Sequence, residues 1–89
     1  MEIKNAQVLI TGGSRGIGAA LAREYSANGA RVIVTARSEE DLEKVATEIN
    51  GIAHVADLSV SDHVDHLIQE IESSHGPIDI LVNLSLIHI

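Results

Sequence analysis

Residues 8–18 read Val-Leu-Ile-Thr-Gly-Gly-Ser-Arg-Gly-Ile-Gly, an apolar strand that runs through a glycine-rich turn into the start of a helix. Few chain paths accept that sequence. Gly12 lets the chain leave the strand tightly, Gly16 removes a Cβ that would block a bound pyrophosphate, and Gly18 lets the helix lie close against the sheet. The free N–H groups of the first helical turn, together with the helix dipole, favour an anion such as a phosphate at that end. The spacing, Gly-x-x-x-Gly-x-Gly after Thr11, differs from the Gly-x-Gly-x-x-Gly dinucleotide fingerprint and lacks the Lys-Ser/Thr ending of a P-loop.

The remainder alternates strand and helix patterns. Ala6–Thr11 reads as a buried strand, and Ser14–Asn28 as a helix with Ile17, Ala20, Leu21 and Ala27 at helical spacing. Asn28-Gly29 supplies a left-handed C-cap. Arg31–Thr35 is a second strand. Ser38-Glu39-Glu40-Asp41 then opens a helix with a capping-box pattern, whose apolar face is Leu42, Val45, Ala46 and Ile49. Asn50-Gly51 closes it. Ile52–Ala56 is a short third strand, and a third helix presents Val64, Leu67, Ile68 and Ile71 before Gly76-Pro77 stops it. Ile78–Asn83 is the fourth strand. The order β-α-β-α-β-α-β with right-handed crossovers gives a parallel sheet in strand order 3-2-1-4, an incomplete doubly wound α/β fold of Rossmann type. Its crevice opens at the carboxyl ends of the first and fourth strands, where Gly12–Gly18 lies.

Composition fits this architecture and narrows its partners. At 89 residues the chain holds about one half of a doubly wound sheet, and Tyr25 is its sole aromatic residue. The core must therefore be built from Val, Ile, Leu and Ala, as parallel sheets covered by helices are. A formal charge of −7 argues against nucleic acid or an anionic membrane as partner. The absence of cysteine, of a signal-peptide pattern in Met1–Asn5 and of a long apolar run leads to the expectation of a cytoplasmic protein.

A dinucleotide site carries its discriminating residue at the end of the second strand, about 20 residues past the glycines. Here that place reads Thr35-Ala36-Arg37. An acid at Ala36 would bind a free ribose 2′-hydroxyl and repel a 2′-phosphate, whereas Arg37 can form charge-assisted bonds to that phosphate. Arg15, inside the glycine turn, can close over the same group. Two cations and no acid favour NADP(H) over NAD(H).

Thr11-Gly12-Gly13-Ser14-Arg15-Gly16-Ile17-Gly18 resembles the cofactor motif of the short-chain dehydrogenase/reductase family. Asp57-Leu58, after the third strand, is similar to the family's Asp-Val/Leu pair, which implies that Asp57 accepts a bond from the adenine amino group. Gly76-Pro77-Ile78-Asp79-Ile80-Leu81-Val82-Asn83 resembles the family's run into Asn-Asn-Ala-Gly. The resemblance spans residues 6–83. It implies cofactor contacts at Gly12, Ser14, Arg15, Gly16, Ile17, Gly18, Arg37, Asp57, Leu58 and Asn83. It also implies hydride transfer between a nicotinamide cofactor and a carbonyl or secondary alcohol, a 3-oxoacyl thioester being one candidate substrate, and a homo-oligomer for the full-length protein.

The family's pattern breaks after Asn83. Its catalytic Ser and Tyr-x-x-x-Lys pair would lie downstream, so no catalytic residue is assigned and this chain alone is expected to be inactive. Residues 1–83 are read as the N-terminal part of the nucleotide-binding domain. Residues 84–89, Leu-Ser-Leu-Ile-His-Ile, match the translation of CTG TCT CTT ATA CAC ATC, DNA that resembles a transposase mosaic end, and are expected to be an adapter-derived tail. Tyr25 lies four residues before Gly29 rather than Lys, and is expected to pack against the sheet or at its margin. His63 and His66, flanked by Asp62 and Asp65, are read as solvated residues and no metal site is expected. Two other classes remain open. An S-adenosylmethionine-dependent methyltransferase would carry an acid near the first strand's end, where Thr11 stands, and a nucleotide-binding module would bind without chemistry.

Overall fold

The computed structural model describes residues 3–12, 16–36, 39–55 and 62–84. Seven elements follow one another: β1 (Gln7–Thr11), α1 (Gly16–Ala27), β2 (Arg31–Ala36), α2 (Glu39–Ile49), β3 (Ile52–Val55), α3 (Asp62–His75) and β4 (Ile80–Asn83). The strands form one sheet in the order β3-β2-β1-β4. All its pairings are parallel, with Thr11 beside both Thr35 and Asn83 and with Ala36 beside Val55. This is the expected topology, and it sets the carboxyl ends of the strands along one rim.

The central strands are buried on both faces, which is why they read as continuous apolar runs. Val8, Ile10, Val32 and Val34 face a cluster completed by Ala19 and Ala22 of α1 and by Leu42, Val45 and Ala46 of α2. Leu9 and Ile33 point the other way, onto Leu67 and Ile71 of α3, with Ile68 and Ile78 packed partly against them. The expected faces of α2 and α3 are therefore the buried ones, although the side chain of Val64 lies outside the described residues.

The expected face of α1 is not the buried one. Ile17 is 72% exposed, Ala20 and Ala27 are exposed and Leu21 is only half-buried, whereas Gly18, Ala19 and Ala22 are covered. Both sets have helical spacing. Size decides between them, because a helix that leaves a tight glycine turn lies close to the strand and admits only the smallest side chains beneath it. Three strand boundaries also move, β1 starting at Gln7 rather than Ala6. β4 starts at Ile80 rather than Ile78, since Pro77 has no N–H to give and the N–H of Ile78 donates to Glu72 Oε2 at 2.9 Å. Ala36 extends β2 by one residue, and Ala56, expected to end β3, is outside the described residues.

Helix ends and strand starts are fixed by specific bonds. Gly29 (φ +88°) closes α1 in a Schellman motif, its N–H donating to Ser26 O and that of Ala30 to Tyr25 O. At the end of α2 the left-handed residue is Asn50 (φ +53°), and Ser26 Oγ donates to the terminal carbonyl of Ile49 at 3.0 Å. Gly51 serves a different need: a Cβ there would sit 2.6 Å from the carbonyl oxygen of Val32. Replacing Gly51 by Ala is expected to cost about 1–3 kcal/mol, because a backbone atom of β2 has to give way. Urea denaturation followed by circular dichroism measures it. Gln7, which has no place in an apolar strand by pattern, is buried and ties β1 to the approach to β4. Its Nε2 donates to Gly76 O at 2.8 Å, and its own N–H donates to Asp79 Oδ2 at 2.8 Å.

Candidate functional site

Two chain segments meet at the rim. Gly12 follows β1 with φ +79°, and its N–H donates to the carbonyl of Thr35 at 2.7 Å, which fastens the start of the glycine turn to the end of β2. On the other side, Thr11 Oγ1 donates to Asn83 Oδ1 at 2.7 Å and accepts the N–H of Leu84 at 3.2 Å. The N–H of Leu84 also lies 3.1 Å from Thr11 O. Thr11 is thus the hinge pin between β1 and β4, and Asn83 is held at the lip where the two strands end.

The chain re-enters the described residues at Gly16, which has φ +54° and begins α1. Among the described residues, a Cβ at Gly16 would meet nothing within 4 Å, so its outer side is open toward the N–H groups of the first helical turn. Ile17 is exposed beside it and Gly18 is buried beneath. An uncrowded helix N-terminus suits a phosphate, and the dipole of α1 adds the sign of charge. The residues present therefore fit a dinucleotide pyrophosphate.

Of the site residues expected from sequence, Gly12, Gly16, Ile17, Gly18 and Asn83 occupy this rim. Ser14, Arg15, Arg37, Asp57 and Leu58 lie outside the described residues. So do Ser38, the expected cap of α2, and residues 85–89 of the expected tail; Leu84 is half-buried and packs partly against the core. Tyr25 is half-buried against the α1 and α2 core, the packing role expected of it. His66 is exposed on α3, while the side chain of His63 is outside the described residues. No described helix is long and apolar enough to cross a membrane.

Sequence reasoning passed over one feature of this rim. The register places Thr11, Thr35 and His54 side by side across three strands, with Asn83 flanking Thr11. That polar row interrupts the apolar layer beneath α3, where Leu9 and Ile33 lie one pleat below. A Thr at the end of each of two central strands was the available signal, since period-2 alternation puts both on one face.

Comparison with known proteins agrees with this geometry. Residues 6–85 match the short chain dehydrogenase family. An uncharacterized oxidoreductase of Mycobacterium tuberculosis is 42% identical over 89 residues, covering 91% of this chain and 26% of that protein. The meso-2,3-butanediol dehydrogenase of Serratia marcescens is 37% identical, covering 100% of this chain and 37% of the enzyme. Among solved structures, a metagenomic short-chain oxidoreductase in complex with NADP superposes with a TM-score of 0.80 at 41% identity, over 91% of this chain and 39% of that one. A short chain dehydrogenase from Bacillus anthracis superposes with a TM-score of 0.83 at 34% identity, over 96% of this chain and 36% of that one. This chain thus spans between about a quarter and two fifths of the length of these relatives. Sheet order, glycine turn and sequence similarity converge on one assignment: the chain belongs to the short-chain dehydrogenase family.

Proposed function

We propose that this chain is the nucleotide-binding part of an NADP(H)-dependent oxidoreductase that acts on a carbonyl or secondary alcohol. The observation that carries the reading is the open space over Gly16 at the N-terminus of α1, on the rim where β1 and β4 end together. The NADP in the related metagenomic oxidoreductase supports the cofactor class.

In this reading the glycine turn takes the pyrophosphate, with Gly12, Ser14, Gly16, Ile17 and Gly18 offering backbone N–H groups and room. Asp57 and Leu58 take the adenine, and Asn83 lines the crevice from the β4 side. Arg15 and Arg37 take the ribose 2′-phosphate and set the preference for NADP(H). When bound, the nicotinamide nucleotide supplies or accepts the hydride. The chain's own share is to bind and orient, since no residue here has the place of the family's catalytic Ser or Tyr-x-x-x-Lys. Turnover belongs to the longer protein, whose substrate pocket and subunit contacts are built from later segments.

Arg37→Glu tests the cofactor assignment. NADPH affinity is expected to fall about tenfold to a hundredfold, the worth of a charge-assisted bond replaced by repulsion, while NADH affinity changes little. Fluorescence titration of the 89-residue chain with each nucleotide reads both numbers. Equal losses for NADPH and NADH would remove Arg37 from the 2′-phosphate, and no binding of either nucleotide by the unmodified chain would sink the reading itself.

A further inference from the structure

Two helices of this chain run into Asn-Gly pairs, Asn28-Gly29 after α1 and Asn50-Gly51 after α2. In such a pair the backbone nitrogen reaches the preceding side-chain amide with little hindrance, because glycine has no side chain in the way. The structure treats the two differently. Asn28 Nδ2 donates to Glu24 O at 2.8 Å and lies 3.3 Å from Glu24 Oε1, so this amide is folded back along α1. Asn50 is exposed, and among the described residues its side-chain amide makes no hydrogen bond. The backbone does not distinguish the pairs, since the N–H of Gly29 donates to Ser26 O at 3.0 Å and that of Gly51 to Ala46 O at 2.8 Å. Asn50 also holds a left-handed conformation (φ +53°), which it leaves whenever the last turn of α2 frays.

We propose that Asn50 is a site of spontaneous deamidation, a slow covalent change that loosens β3 from the sheet. With the last turn of α2 open, the Gly51 nitrogen attacks Asn50 Cγ. A new C–N bond forms, the Cγ–Nδ2 bond breaks, and the amide nitrogen leaves as ammonia with the proton lost by Gly51. Water then opens the cyclic imide at either carbonyl, leaving aspartate or isoaspartate with no change of oxidation state. Both products strain this corner. A carboxylate at the carboxyl end of α2 faces the negative pole of a helix whose last turn carries no basic residue. Isoaspartate also lengthens the main chain by a carbon immediately before Gly51, where a Cβ would already sit 2.6 Å from Val32 O and where Ile52 next enters register with Ile33.

Incubating the folded 89-residue chain in mildly alkaline buffer, with peptide mass mapping at intervals, reads the exchange of amide for acid at each asparagine. Asn50 is expected to convert about fivefold faster than Asn28, the worth of the one net hydrogen bond that Asn28 must first give up. In denaturing urea the two rates are expected to converge, because both side chains then precede a glycine in open chain. The melting temperature is expected to fall by roughly 4–8 °C once Asn50 has converted. Asn50→Gly, which keeps the left-handed cap, is expected to remove most of that fall. Asn28 converting as fast as Asn50 in the folded chain, a preference that persists in urea, or an equal fall in Asn50→Gly would each overturn the proposal. Nucleotide binding enters none of these measurements, so the outcome is independent of the proposed function.

Discussion

Leu9→Ala is expected to cost about 3–5 kcal/mol and to leave the chain largely unfolded at room temperature. Leu9 is completely buried at the centre of the sheet and, among the described residues, is one of four fully covered ones, with Ile33, Leu67 and Ile71, that join α3 to the sheet. Removing it opens a void that none of the other three can fill without leaving its own position, so both transfer and cavity terms are felt. An ordinary domain has 5–15 kcal/mol to lose, and a small one sits at the low end because it buries less of its surface. Here both edge strands are only four residues long and partly uncovered. Leu81→Ala is the matching control, because Leu81 is 44% exposed on β4 and its truncation should change stability by less than about 1 kcal/mol. Urea denaturation of the two variants, followed by far-ultraviolet circular dichroism, gives the comparison. Equal effects would mean that α3 does not hold the sheet by this cluster.

Gly16→Ala is expected to separate folding from binding. The new Cβ meets no atom of the described residues, so the expected folding cost is the left-handed backbone conformation, about 1–2 kcal/mol. That corresponds to a fall in melting temperature of roughly 4–16 °C for a domain of this size. Nucleotide affinity should fall further than stability does, by about tenfold to a hundredfold, because the methyl group occupies the space a pyrophosphate needs and the phosphate cannot approach the helix N-terminus. Calorimetric titration with NADPH beside a thermal melt reads both. A variant that binds as the unmodified chain does would place the pyrophosphate somewhere other than over Gly16.

How much of this was legible beforehand depends on the kind of information each feature needs. The polar capping groups and glycines are local signals, and Gly29 at the end of α1 and Gly76 after α3 adopt the left-handed conformation that a helix stop implies. Faces built from large apolar residues were also legible, because Leu42, Val45 and Ala46, or Leu67 and Ile71, have no rival face on their helices. α1 has such a rival. Ile17 and Leu21 are its larger apolar residues, yet the sheet covers Gly18, Ala19 and Ala22, a choice set by how closely the helix approaches. The candidate site divides in the same way. Gly12, Gly16 and Gly18 announce themselves by spacing, while the row of Thr11, Thr35, His54 and Asn83 exists only once strands distant in sequence fall into register.

The amino-acid order alone determined the succession of elements and the parallel sheet, because periodicity, end signals and the handedness of crossovers act over short stretches or follow from chirality. Tertiary structure alone decided which atoms are left without partners and which neighbours a glycine must avoid. The idle hydroxyl of Thr35 and the closeness of Gly51 to the backbone of Val32 both arise from packing between segments far apart in the chain, where distance in space, and not residue type, fixes the energy.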